Sequence, residues 1–277
     1  LKNYTPLTPT QKMCTLYSIC STMDAIHSIG IIHRDFKPSN VFMKKNGEYF
    51  DSYIADFGSA RMVGNNIKLT ECPYGTPHHQ APESFFTDDY DQSVDVYSFG
   101  VSYLQYFKYN AIDKYDNGDK VIRNAYKIAL SIKEGRRYKK PDNMSKKQYD
   151  IYLKCTDLNI TKRPTFEQLA EIFENDTTIW FEDVDDKKYR EYIEICKNIC
   201  QEYKKNHNQI PDLSPQSSNA SLNLSRSARN RLSGRSSSLS ATTSSEQLSP
   251  TSSTSPSSRC KTHKYSKGFP DEWFFII

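Results

Sequence analysis

The sequence predicts a mainly α-helical domain with one short β-hairpin, followed by a disordered tail. Three observations carry this reading. Apolar residues recur at helical spacing in several stretches between Thr8 and residue 206. A strong hairpin signal, Asn46-Gly47, stands between two short apolar runs. From about Gln209 to Arg259 the chain is mostly Ser, Thr, Asn, Pro and Arg, too polar to bury a core. The 36% apolar content therefore understates the rest, which is ordinary globular material.

Taken in order, the elements have local causes. Thr8 can cap a helix, Pro9 suits its first turn and Gln11 sits where a capping-box partner belongs. Met13, Leu16, Ile19, Cys20, Met23 and Ile26 then share one face, and Gly30 ends the helix. Val41–Met43 and Tyr53–Ala55 are expected as two strands flanking the turn. Gly58 to Pro82 reads as loop. Ser93–Phe107 is apolar on nearly every side apart from Asp95, the mark of a buried helix. Helices follow near Ala125–Lys133, Lys147–Cys155 and Phe166–Glu174. A last amphipathic helix carries Tyr189, Tyr192, Ile193, Cys196, Ile199 and Tyr203 on one face. The closing GFPDEWFFII is too short to span a membrane and could dock on the domain or on a partner.

Bulk properties exclude little. The net charge of +4 owes much to Arg226, Arg229, Arg231 and Arg235, so it does not argue for nucleic acid. Seven cysteines lie scattered, without a C-x-x-C pair or zinc spacing, as reduced thiols of the cytoplasm or nucleus would. No apolar run reaches the ~18–20 residues a membrane span needs. His27, His78 and His79 form no metal pattern and read as structural or solvated.

The chemistry concentrates early. His33-Arg34-Asp35-Phe36-Lys37-Pro38-Ser39-Asn40 has the spacing H-R-D-x-x-x-x-N, and Asp56-Phe57-Gly58 follows the second expected strand. Phosphoryl transfer needs a carboxylate to deprotonate the attacking hydroxyl and hard oxygens for Mg²⁺, and these positions offer both. Residues 1 to about 176 resemble the C-terminal, helical lobe of a eukaryotic protein kinase. The resemblance implies Asp35 as base, Lys37 as neutraliser of charge on the moving phosphoryl group, and Asn40 and Asp56 as Mg²⁺ ligands beside ATP. Thr76, in GTPHHQAPE, would hydrogen-bond Asp35 and Lys37. Asp95 would prop the H-R-D backbone, and Arg163 in KRPTF would pair with Glu83. His33 would pack near Asp56, with Phe57 and Gly58 completing D-F-G. Arg34 would receive an activation-segment phosphate, for which Thr70 is the better candidate over Tyr74 and Thr76. Lys37 marks the serine/threonine type, and VDVYSFGV with KRPTF resembles the tyrosine-kinase-like group.

The resemblance also implies an organisation. Residues 1–176 would be the incomplete kinase domain, 177–206 a C-terminal amphipathic helix on the lobe, and 207–277 a Ser-rich disordered tail. Before His33 the only glycine is Gly30, so no G-x-G-x-x-G precedes the loop, and five strands cannot fit there. Two readings follow. In one, the chain is a fragment of an active kinase whose missing N-terminal lobe, in cis, clamps ATP; residues 1–277 alone would then be nearly inactive. In the other, it is a non-catalytic binding module or pseudokinase with an exposed apolar face. The tail is read either as an inert linker or as a set of phosphorylation sites. Ser233 and Ser238 follow arginines, and Ser214, Ser249 and Ser255 precede prolines. They would be used by other kinases or by this one. The expected partners are otherwise a protein substrate and ATP, with no nucleic acid and no membrane segment.

Overall fold

The computed structural model describes residues 6–63, 75–87, 90–107, 124–207 and 273–275. Helix α1, Pro9–Ser28, begins at the expected capping box. The Gln11 amide N–H donates to Thr8 Oγ1 at 3.2 Å, and the Thr8 N–H donates back to Gln11 Oε1 at 3.0 Å. Gly30 ends it at φ +77°, its N–H on the His27 carbonyl at 2.9 Å. One buried face was expected, but every residue from Met13 to Cys20 is buried. The physical reason is position. This helix is the axis of the domain, covered by the hairpin and by two later helices.

After β1, Ile31–Ile32, the hairpin runs longer than the apolar runs suggest: β2 is Val41–Asn46 and β3 is Tyr49–Ile54. Asn46 pairs with Tyr49, so Gly47 and Glu48 form the loop. Gly47 takes φ +60° at the first loop position, where a type II′ turn needs glycine. The stretch read as loop after Gly58 contains β4, Arg61–Met62, antiparallel to β1. Such two-residue strands leave no periodic signal.

Helix α2, Ser93–Phe107, has the predicted bounds and is buried along most of its length, Asp95 included. Helices α3, Ala125–Lys133, α4, Lys146–Cys155, and α5, Phe166–Asn175, complete the helical layer. Ser145 and Thr165 cap α4 and α5 through further capping boxes. Helix α6, Asp186–His207, packs on α1 through Tyr189, Tyr192, Ile193 and Cys196. Ile199, expected on that face, is 59% exposed. The face continues instead to Cys200, whose Sγ lies 3.1 Å from Ser21 Oγ. Tyr203's side chain falls outside the described residues. Within the stretch expected to be disordered, β5, Trp273–Phe275, pairs antiparallel with β2, Phe42 facing Phe275. Among the described residues no helix is long and apolar enough to cross a membrane. Burial pushes the Cys14, Cys155 and Cys196 thiols up to about 12, which keeps them protonated.

Gly100 is where α2 meets α4. A Cβ there would lie 2.5 Å from Cys155 Cβ and 3.2 Å from Thr156 Cγ2. Helix propensity alone would make Gly100→Ala stabilising by roughly 1 kcal/mol. Overpacking against a backbone-fixed neighbour costs roughly 1–3 kcal/mol or more, and at so short an approach it outweighs that gain. Gly100→Ala is expected to lower the urea midpoint at unchanged slope; a raised midpoint would refute this packing.

Candidate functional site

The site is assembled around a buried carboxylate. Asp95, fully buried at the start of α2, accepts from the His33 N–H at 2.7 Å and the Arg34 N–H at 2.8 Å. His27 Nε2, from the last turn of α1, lies 3.0 Å from the same carboxylate and donates to it. These three donors hold a backbone that includes Arg34 at φ +69°, a left-handed value uncommon for a side chain of this size. His27, expected only as structural or solvated, is the third donor to Asp95. Its position one helical turn before Gly30 was the available signal.

His33 is fully buried and sits on both flanks of Asp56. The Asp35 N–H points to its Nδ1 at 3.3 Å, so Nε2 carries the proton and donates to the Ala55 carbonyl at 2.9 Å. Its ring meets Phe57 edge-on at 4.9 Å. The Ala55 N–H donates to the Asn40 carbonyl at 2.9 Å, which closes the open end of the hairpin and sets Asn40 near Asp56. Asp56 itself adopts a left-handed conformation, φ +66°.

Asp35 is fixed from both sides. Thr76 donates to its Oδ1 twice, from the backbone N–H at 3.0 Å and from the hydroxyl at 3.1 Å. Lys37 Nζ donates to Oδ2 at 2.6 Å. The expected Thr76 bond to Lys37 is absent among the described residues, because the ammonium turns to the carboxylate. Asn40 Nδ2 donates to the Asp35 carbonyl at 2.9 Å, leaving its amide oxygen free to face a cation. Gly75 makes this approach feasible. At φ +111° it lies so close that a Cβ would meet the Arg34 carbonyl at 3.1 Å. Gly75, the first residue of GTPHHQAPE, is a site residue that spacing alone does not mark.

At the far end of that segment, Glu83 and Arg163 form a two-pronged ion pair with Nη2–Oε2 at 2.9 Å, and Arg163 also donates to the Ser93 carbonyl at 3.1 Å. Arg34's guanidinium lies 5.8 Å from the Tyr90 ring. Thr70 and Tyr74 lie outside the described residues. His27, His78 and His79 each have a side-chain partner: Asp95 for His27, Tyr138 for His78 and Gln105 for His79.

The donor set fits Mg²⁺ better than a transition metal. Among the described residues no group of three or more His, Cys, Asp or Glu could hold a metal. Magnesium takes hard oxygens, commonly one or two from protein and the rest from phosphate and water, and the Asn40 amide and Asp56 carboxylate supply that kind.

The protein kinase domain family model matches residues 1–173. The chain belongs to the protein kinase family. One relative, from Acanthamoeba polyphaga mimivirus and named as a serine/threonine-protein kinase/receptor, is 35% identical over 161 residues, 57% of this chain and 9% of its own length. A LIM domain-containing serine/threonine-protein kinase of Dictyostelium discoideum is 28% identical over 166 residues, 60% of this chain and 24% of its own. A tyrosine-protein kinase receptor of Caenorhabditis elegans is 32% identical over 169 residues, 58% of this chain and 32% of its own. The chain thus spans from about a tenth to a third of these kinases.

Two outcomes follow from the site. Asp95→Asn replaces one acceptor oxygen with an NH₂ and leaves a buried N–H facing a donor. The expected loss is roughly 2–4 kcal/mol of unfolding free energy, read by chemical denaturation. His79 is the second. Its Nδ1 is buried without a partner, and burial lowers its pKa to about 4 despite the Gln105 hydrogen bond. The unfolded chain therefore binds a proton at higher pH than the folded one. His79's contribution is complete above about 6.5 and is lost as pH falls toward 4, amounting to about 3 kcal/mol. A His79→Gln variant should show a shallower loss of stability across that window; an equal slope would refute the assignment.

Proposed function

We propose that this kinase-family chain is the helical lobe of a serine/threonine protein kinase that transfers the γ-phosphoryl group of ATP to protein hydroxyls. The supporting observation is Asp35, its two oxygens oriented separately by Lys37 and by Thr76, at the mouth of a loop that also carries Asn40. In this reading Asp35 accepts the proton of the attacking hydroxyl, and Thr76 keeps the carboxylate turned toward the acceptor. Lys37 shifts from Asp35 to the charge that develops on the phosphoryl oxygens. Bound Mg²⁺ would neutralise phosphate charge, with Asn40 and Asp56 as its protein ligands. An N-terminal lobe in cis would supply the remaining nucleotide contacts. Residues 177–206 would extend the lobe.

Serine/threonine specificity rests on Lys37, two residues past the base, and accords with the names of the mimivirus and Dictyostelium relatives. VDVYSFGV and KRPTF favour the tyrosine-kinase-like group within that class. A second reading, a non-catalytic scaffold, draws on the exposed Phe57, Met62 and Val63, all within seven residues of Asp56. In the kinase reading an N-terminal lobe covers apolar groups of this kind; in the other a partner does.

The deciding experiment supplies the full-length protein with labelled ATP, Mg²⁺ and matched Ser, Thr and Tyr peptides. Label is expected on Ser and Thr. Asp35→Asn should reduce kcat by about 10²–10⁴-fold with the circular dichroism spectrum unchanged. Transfer to Tyr alone would overturn the specificity, and transfer that survives Asp35→Asn would overturn the mechanism.

A further inference from the structure

Between α3 and α4 the chain reads Arg136-Arg137-Tyr138-Lys139-Lys140, four cations in five residues. A run of this kind is ordinarily a solvated surface. Here its placement is specific. Tyr138 is buried, and α4 grips both of its backbone groups. Its N–H donates to the Tyr152 hydroxyl at 3.1 Å, and its carbonyl accepts from the Tyr149 hydroxyl at 2.7 Å. The Tyr138 hydroxyl meets His78 Nδ1 at 3.0 Å. His78 is two residues beyond Thr76, which bonds Asp35, so a continuous set of hydrogen bonds and one short span of chain tie the basic loop to the candidate base.

The four cations divide by what they touch. Arg137 donates to the Ile132 and Arg136 carbonyls at 3.1 and 2.8 Å, and Lys140 to the Pro141 and Met144 carbonyls at 3.1 and 2.6 Å. These two brace the loop. Arg136 and Lys139 are exposed, and among the described residues neither forms an ion pair. Residues 133–142 hold five cations against two carboxylates, Glu134 and Asp142. The neighbouring α3 is itself seated on the end of the Thr76 segment, with Lys133 Nζ 4.7 Å from the Phe86 ring. The result is a braced, net-positive loop joined through Tyr138 and His78 to the segment whose Thr76 bonds the candidate base.

Resting on the kinase reading above, we propose that Arg136 and Lys139 select protein substrates with acidic residues flanking the phosphoacceptor. Two exposed charge contacts supply a preference of about threefold to thirtyfold, and salt screens it. Such a preference makes Ser233 and Ser238 poor cis substrates, since Arg231 and Arg235 precede them closely.

The test measures kcat/KM of the full-length protein on single-Ser peptides flanked by Asp/Glu, by Gln/Ala or by Lys/Arg. It repeats the series on R136Q/K139Q. The acidic peptides are expected to lead by threefold or more, chiefly through KM, and 0.5 M NaCl should shrink the lead. In R136Q/K139Q the lead should vanish while the neutral peptide keeps its kcat. Equal use of acidic and neutral peptides, or a lead that survives in R136Q/K139Q, overturns this proposal and leaves the kinase reading standing. Transfer to no peptide at all overturns the kinase reading, and this one with it.

Discussion

Burying one carboxylate without loss is the constraint on which the site depends. Asp95 is out of water at the start of α2, where an unpartnered charge would cost several kcal/mol. Three donors offset that cost: two consecutive backbone N–H groups and the His27 ring. Because two of them belong to residues 33 and 34, the same hydrogen bonds fix the peptide leading into Asp35. Arg34's left-handed backbone persists because this anchor holds it on one side and the close approach of Gly75 on the other.

Glu83 and Arg163 act at longer range. A buried ion pair is weak evidence for stability, since desolvation can cancel its attraction. Its geometry carries more information. Arg163 touches Glu83, the Ser93 carbonyl, the Asp157 carbonyl at 2.9 Å and the Tyr97 ring at 5.1 Å. One side chain therefore joins the end of the Thr76 segment, the start of α2 and the approach to α5. Asp95 secures one side of the catalytic loop, and this node secures the segment that closes over it.

Between those two anchors the candidate chemical groups are oriented but partly open to solvent. Asp35 and Lys37 have 11% and 21% of their side chains exposed, whereas Asp95 and His33 behind them are fully buried. That division suits catalysis: rigid supports are dry, and the groups that must meet substrate face solvent. The basic loop follows the same plan, with Tyr138 buried as its post and Arg136 and Lys139 outward.

Local chemistry was legible in the sequence. Capping boxes, the Gly30 stop, the Gly47 turn and the bounds of α2 each depend on residues within about four positions of one another, where spacing alone sets geometry. The residues at 33–40 and 56–58 could be recognised for the same reason. What spacing could not give was set by contacts across the chain. Burial of α1 on all sides depends on α6, more than 150 residues away, and the β1–β4 and β2–β5 pairs each rely on strands of two or three residues, too short to show a period. Ile199 was misplaced because a helical face is defined by its partner as well as by its own repeat. His27 on Asp95 spans 68 residues and His78 on Tyr138 spans 60. The sequence determined which groups could do chemistry; tertiary packing alone decided which of them are held still and which face solvent.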